Sequence, residues 1–182
     1  IVYLVLVLTL GARLGESILK RSLWRWPAAT LLLAGVLFAS AHRAFPNSPH
    51  LELPGTPARN PWVQAFLWIR QHTPTDALFA LDPDYINSPG EDAQCFRPLA
   101  QRSALPDYSK DGGEASIAPD LTAAWTTGQQ AQQALNASTT TDRDRLAALT
   151  PLGVSWLVLN AQTATGFACP YSNSAVKVCR LP

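Results

Sequence analysis

The sequence predicts an α/β fold: N-terminal transmembrane helices, then a small, mainly parallel sheet of three to four strands with packed helices and an antiparallel edge strand. Three observations support it. Short apolar runs at 77–81 and 154–159, the second interrupted only by Ser155, are typical of buried strands. Segments of helical periodicity alternate with these runs, which favours parallel pairing. Residues 175–181 alternate polar and apolar side chains, as an antiparallel edge strand does.

The first 45 residues are predicted to form a transmembrane region. Residues 1–12 are uncharged and are interpreted as the end of one span, and residues 24–44 contain a second uncharged run, 26–41, without a polar stripe. Between them, the loop 13–25 holds four basic residues, which predicts a cytoplasmic loop by the positive-inside rule. The second span then leads outward, and the rest of the chain is expected outside the membrane.

Two alternatives to this membrane region remain open. The second run is also compatible with a buried helix of a soluble protein. Residues 21–41, which end in Ala39-Ser40-Ala41, also resemble a signal peptide with its cleavage site, although an apolar run precedes them. Because the chain begins at Ile1 and has no Met, we expect a fragment or a processed product.

Residues 46–61 contain five prolines and predict a stiff linker, with an ordered arm on the domain as an equal alternative. Residues 62–182 are predicted to form one extracytoplasmic α/β domain. Asn60-Pro61 is a helix start signal, and Asp111-Gly112-Gly113 a chain break. The expected helices cover 61–72, 97–102, 121–135 and 141–149, and the expected strands 77–81, 103–108, 154–159 and 175–181, with a loop over 83–96.

Three cysteines bear on the compartment of the domain. Cys169 and Cys179 flank a turn-forming stretch, so that a hairpin would bring them together as a disulfide candidate. Two reduced, buried cysteines are the alternative, and a pairing of Cys95 with either one stays open. An exported compartment would preserve such a bridge.

Polar side chains gather after the first two predicted strands, where open α/β sheets bind ligands. A pocket of mixed charge there would use Arg97 or Arg102 to hold an anionic group. The alternative is that these acids and bases pair with one another and hold a long loop. The ligand-binding candidates are Asp82, Asp84, Tyr85, Arg97, Arg102, Asp107 and Lys110.

Several function classes lack support in the sequence. The net charge of +1 argues against a nucleic-acid partner. The three histidines are scattered and no C-x-x-C occurs, so that neither a metal site nor a catalytic residue is predicted, and no cofactor is expected. Asn136-Ala137-Ser138 fits a glycosylation sequon that a bacterial periplasm would normally leave unmodified.

Four stretches together resemble a known group of proteins. They are 68–79 (WIRQHTPTDALF), 96–103 (FRPLAQRS), 107–110 (DYSK) and 153–159 (GVSWLVL), followed by Cys169-Pro170-Tyr171 and 176–181. They resemble the C-terminal module of large bacterial polytopic membrane proteins. Many of these are similar to GT-C type glycosyltransferases, and others carry a C-terminal domain of unknown function, which the closing segment resembles most.

The resemblance implies a C-terminal fragment of a multi-pass protein of the bacterial inner membrane, with a non-catalytic domain on the periplasmic side and the lipid bilayer as partner. One alternative is the accessory domain of a GT-C glycosyltransferase that meets a polyprenyl-phosphate-linked sugar through its N-terminal part. That family's catalytic acid lies in an early outer loop without a counterpart in this sequence. A signal-anchored periplasmic binding module is the other alternative.

Overall fold

The computed structural model describes residues 9–16, 24–45, 55, 57–87 and 96–182. The chain divides into two compact units, residues 1–46 and residues 47–182. The predicted positions 1–8, most of the loop 13–25 and most of the linker 46–61 lie outside the described residues.

The first unit contains one long apolar helix, α1 (Arg25–Ala44). Residues 9–16 are also helical. None of the side chains of α1 is buried, and Leu31, Leu32 and Leu33 expose 60–73% of their surface. Within the described part of the chain, α1 alone is long and apolar enough to cross a membrane.

The second unit is a mixed α/β domain built on one sheet, as the sequence predicts in outline. Its helices are α2 (Pro61–His72), α3 (Phe96–Ala100), α4 (Lys110–Ile117), α5 (Thr122–Gln132) and α6 (Asp142–Leu149). Its strands are β1 (Leu78–Ala80), β2 (Ser103–Ala104), β3 (Trp156–Asn160), β4 (Ala168–Ser172) and β5 (Val176–Arg180). Short 3₁₀ turns cover Tyr85–Asn87, Pro119–Leu121 and Thr150–Leu152.

The sheet has the strand order β2-β1-β3-β5-β4 and is larger than predicted. β1 pairs in parallel with both β2 and β3, whereas β5 pairs antiparallel with β3 and β4. The prediction that 175–181 forms an edge strand is therefore wrong, because β5 lies between two strands. Its alternation is only partial, because the neighbouring residues Val178 and Cys179 are both buried, on opposite faces of the sheet.

β4 is the strand that the sequence analysis missed. Its segment, Ala-Cys-Pro-Tyr-Ser, has no β-branched residue and contains a proline, which cannot donate to a ladder. The strand forms because it lies at the edge, where Pro170 is exposed, and because the ladder to β5 is irregular between Ala168 and Tyr171. Pairing with β5, rather than local propensity, makes this segment a strand.

Both faces of the sheet are covered by apolar side chains. On one face, α2 buries Phe66 and Ile69 completely against Phe79 of β1. On the other, Leu149 of α6 packs with Leu157 of β3. Replacing a fully buried phenylalanine of this kind by alanine lowers the free energy of unfolding by roughly 3–5 kcal/mol. This three-layer arrangement fixes the sheet edge at which the polar candidates lie.

Helix starts follow the side-chain caps that the sequence contains. The Asn60 side chain accepts from the backbone N–H of Trp62 (2.8 Å) and Val63 (3.2 Å), which begins α2. Thr141 and Asp144 form a reciprocal capping box at α6. Both starts agree with the sequence prediction.

The predicted break at Asp111-Gly112-Gly113 is wrong, because these residues belong to α4. The carboxylate of Asp107 accepts from the backbone N–H of Lys110 (2.7 Å) and Asp111 (3.3 Å) at the start of this helix. Gly112 faces the Trp125 ring, which would lie only 3.1 Å from an added Cβ. Close packing against α5 therefore favours glycine inside the helix.

Two helical glycines provide a matched stability test. An alanine Cβ at Gly128 of α5 would lie 2.6 Å from Cδ of Pro106, whereas nothing lies within 4 Å at Gly113 of α4. We expect Gly128→Ala to lower the free energy of unfolding by about 1–3 kcal/mol through overpacking. Gly113→Ala should raise it by about 0.5–1 kcal/mol. Urea denaturation of both variants checks this, and equal effects at the two sites would contradict the packing of α5 on Pro106.

Candidate functional site

A pocket of about 190 Å³ lies where β1 and β2 end. Both strands are parallel, so that their carboxyl ends meet at one edge of the sheet, as in the ligand sites of open α/β folds. Polar and apolar side chains share its lining. The described residues that line it are Leu81, Asp82, Tyr85, Phe96, Arg97, Pro98, Ala104, Leu105, Asp107, Lys110 and Gln132.

The central ion pair of the pocket joins Arg97 of α3 to Asp111 of α4. The guanidinium donates from both terminal nitrogens to the two carboxylate oxygens, at 2.9 and 2.6 Å, and also to the carbonyl of Ala104. The hydrogen bond to Asp111 outweighs burial and raises the pKa of Arg97. Burial acts to raise the pKa of Asp111, but the hydrogen bonds from Arg97 and the Asp107 backbone hold it below 3.8. The two terminal nitrogens of Arg97 are thus already bound to a carboxylate of the protein.

Asp107 is engaged in holding the backbone. Besides accepting from the first N–H groups of α4, it donates its own N–H to Asp111 at 2.7 Å. Its carbonyl accepts from the indole N–H of Trp125 at 3.0 Å. Its carboxylate lies 4.0 Å from Arg97 and its side chain is 10% exposed. The residue therefore links β2, α4 and α5.

Two amide side chains that are not among the predicted ligand-binding candidates connect the strand ends. Gln132, 1% exposed, accepts from the Leu81 N–H (3.0 Å) and donates to the Pro106 carbonyl (3.0 Å). Asn136 donates to Asp82 (3.3 Å) and accepts from the Asn160 N–H (2.8 Å). A polar residue on the inner face of a predicted helix was the available signal for Gln132.

The structure brings most of the predicted site residues together. Asp82, Tyr85, Arg97, Asp107 and Lys110 line the pocket. Asp84 lies just outside it on the turn after β1, where its backbone N–H donates to Asp82 and its carboxylate accepts from Asn87.

Arg102 lies apart from these residues, because it precedes β2 and so belongs to the amino end of that strand. Its guanidinium donates to the backbone carbonyls of Thr73 (2.6 Å) and Arg70 (2.9 Å) and to the Thr73 hydroxyl (3.1 Å). The residue is 8% exposed. The geometry assigns Arg102 to fastening the end of α2 to the start of β2, and it does not place this arginine in the pocket.

The cysteine pair lies at the opposite side of the sheet. Cys169 of β4 and Cys179 of β5 form a disulfide, with their Cα atoms 3.9 Å apart. Cys95 lies outside the described residues, so its pairing stays open.

The other sequence signals have structural partners of their own. Asn136 of the sequon is half-buried, and its amide oxygen accepts from the Asn160 N–H and the Thr163 hydroxyl. This engagement leaves its amide poorly placed for modification. Within the described part of the chain, no group of three or more histidine, cysteine or acidic side chains is arranged to hold a metal ion.

Neither a protein-family model nor a curated protein matches the chain. The resemblance to C-terminal modules of polytopic membrane proteins therefore stays a prediction. The chain's class rests on its fold, a mixed α/β domain with a polar pocket at the carboxyl end of its parallel strands.

Replacing Arg102 should destabilise the domain. Arg102→Ala leaves several carbonyls at the end of α2 without their donor, and we expect the free energy of unfolding to fall by about 2–4 kcal/mol. Arg70→Ala removes an exposed guanidinium on α2 and should change it by less than about 0.5 kcal/mol. Chemical denaturation measures both. Unchanged stability of Arg102→Ala would contradict the fastening role.

The ion pair of Arg97 and Asp111 predicts a pH dependence. Because the folded pKa of Asp111 is depressed, its contribution to stability is present above the ordinary value of 3.8 and is lost as the pH falls further. Since Arg97 is 43% exposed, we expect Asp111→Asn to cost only about 1 kcal/mol at pH 7. The difference in free energy of unfolding between this variant and the unmodified chain should disappear as the pH falls below 3.8. Urea titrations at several pH values check this, and a gap that widens in acid would contradict it.

Proposed function

We propose that the chain is the C-terminal part of a bacterial inner-membrane protein, in which α1 is the last transmembrane span. The residues 62–182 then form a domain on the periplasmic side. This domain binds or scaffolds rather than catalyses, and the bilayer is the partner of α1. The single observation that carries the proposal is the long apolar helix α1, which buries none of its side chains within its own unit.

The exposed apolar side chains of α1 favour lipid as its partner on energetic grounds. Its leucines, Val36 and Phe38 expose between 39% and 73% of their surface. Burying apolar area is worth about 25 cal/mol per Å², so that a helix of 20 residues left in water forgoes a large stabilisation. Lipid supplies that burial, and Arg25 at its start and Arg43 at its end are placed to reach the headgroups.

Two features support the periplasmic side for the folded domain: the basic residues before α1 and the disulfide. The basic residues before α1 favour a cytoplasmic loop, so that the domain after α1 lies outside. The Cys169–Cys179 disulfide fits that placement, since oxidising compartments preserve disulfides and the cytosol reduces them.

The non-catalytic assignment is supported by how the charged side chains of the pocket are used. Arg97 is held by Asp111, and Asp107 holds the start of α4. No histidine, serine or cysteine occurs among the described residues that line the pocket. These charges act mainly on one another and on backbone, which is the alternative that the sequence analysis kept open.

Membrane placement is tested with the full chain expressed in a bacterium. We expect it to stay in the membrane pellet after alkaline carbonate extraction. Protease added to spheroplasts should digest the domain, and non-reducing peptide mapping should recover Cys169 joined to Cys179. Replacing Arg13, Lys20, Arg21 and Arg25 by glutamine should move most copies to a protease-protected orientation.

The matched control replaces four basic residues of the folded domain, Arg70, Arg143, Lys177 and Arg180, by glutamine and should leave the orientation unchanged. Recovery of the chain in the soluble cytosolic fraction, or a domain protected from external protease, would overturn the proposal.

A further inference from the structure

A second concave surface lies beside the pocket, between the turn after β1 and helix α5. We call it the aromatic groove, and its principal residues are Asp84, Asn87, Tyr108, Trp125, Gln130 and Gln133. Its volume is about 630 Å³, which is within the range of small-ligand sites. The groove belongs to the folded unit alone, so that what it binds does not depend on whether α1 is in a membrane.

Two aromatic rings form the apolar part of the groove. Tyr108 exposes 62% of its surface, and its ring centroid lies 6.3 Å from that of Trp125. The Trp125 side chain is held in place because its indole N–H donates to the Asp107 carbonyl at 3.0 Å. The groove therefore presents a fixed indole beside an exposed phenol, which together can cover the C–H face of a flat, partly apolar ligand.

Neutral amides form much of the polar part. Gln130 lies near the end of α5 and Gln133 directly after it, and among the residues described their side chains make no hydrogen bond. Each can accept through its oxygen and donate through its nitrogen. Gln129 donates to the Pro106 carbonyl at 2.6 Å and so keeps its oxygen for another donor. The groove thus offers both donors and acceptors within a few ångströms of the rings.

The charges of the groove disfavour an anionic ligand, and its carboxylates are already partly engaged by the protein. Its described lining contains two carboxylates and no lysine or arginine. Asp82 already accepts from Asn136 and from the Asp84 backbone, and Asp84 accepts from Asn87 at 2.6 Å through one oxygen. The other carboxylate oxygen of Asp84 can accept a hydrogen bond from a ligand hydroxyl. Such a bond forms without a positive charge on the ligand.

From these contacts we infer that the aromatic groove binds a neutral saccharide. A hexose ring has an apolar C–H face that packs on Tyr108 and Trp125. Its hydroxyls both donate and accept, which matches the amides of Gln130 and Gln133 and the carboxylate of Asp84.

The test uses the full chain in phosphatidylethanolamine–phosphatidylglycerol nanodiscs, free of sugar-headed detergent. Maltotriose, cellotriose and diacetylchitobiose are added at millimolar concentration and followed by saturation-transfer NMR and calorimetry. We expect at least one of them to bind with its C–H protons saturated by aromatic protons. Tyr108→Ala should weaken that binding about tenfold, whereas Tyr108→Phe, which keeps the ring, should stay within about threefold.

Gln130→Ala has a matched control on the other face of the sheet. Gln71 is an exposed glutamine of α2 that is not part of the groove. Gln130→Ala should weaken binding about three- to tenfold and Gln71→Ala should leave it unchanged. Circular dichroism confirms that each variant is folded.

Three results would overturn the inference. The first is that none of the three saccharides binds. The second is equal affinity of the Tyr108→Ala and unmodified chains. The third is that tetramethylammonium chloride, the cation probe, displaces the saccharide or binds in its place with the same dependence on Tyr108.

Discussion

The buried amide of Gln132 is the contact on which the ligand-facing edge of the sheet depends. It accepts from the N–H of Leu81, directly after β1, and donates to the carbonyl of Pro106, two residues past β2. Gln132 lies on α5 and is 1% exposed. β1 has three residues and β2 two, so that the ladder alone provides few hydrogen bonds. An unpaired buried amide or backbone group would cost about 1–3 kcal/mol, and this cost fixes the place of α5. Gln132 itself lines the pocket, and its neighbours Gln130 and Gln133 line the aromatic groove.

The charged residues around this edge mainly hold the surrounding helices and loops in position. Asp111 receives the fork of Arg97, Asp107 starts α4, and Asn136 links Asp82 to the end of β3. The contacts of Arg97 and of Asn136 join distant parts of the chain, so that the carboxyl edge is held by a network as well as by the short strands. Such a rigid edge suits binding, because side chains that are already ordered lose little freedom when a ligand arrives.

Local signals in the sequence were enough for elements that carry their own boundary. Asn60-Pro61 and the spacing of Phe66 and Ile69 predict α2, and the run that contains β3 predicts a buried strand. Elements that depend on distant partners were not predictable in this way. Gly112 and Gly113 oppose a helix locally, yet Asp107 and Trp125 make α4 form. Arg102 is a pocket candidate by sequence, but the five acceptors of its guanidinium include the Arg70 and Thr73 carbonyls at the end of α2, which only the fold reveals.

The two margins of the sheet have a consequence for crowding. A long, regular margin invites a neighbouring copy to add its own strand, which leads to polymer growth. Here one margin, β2, is two residues long, and the other, β4, contains Pro170, an irregular ladder and a covalent tie to β5. Neither offers an uninterrupted row of amides to a second molecule. Neighbouring copies of the domain can therefore be crowded at high density without pairing their edge strands into a continuous sheet.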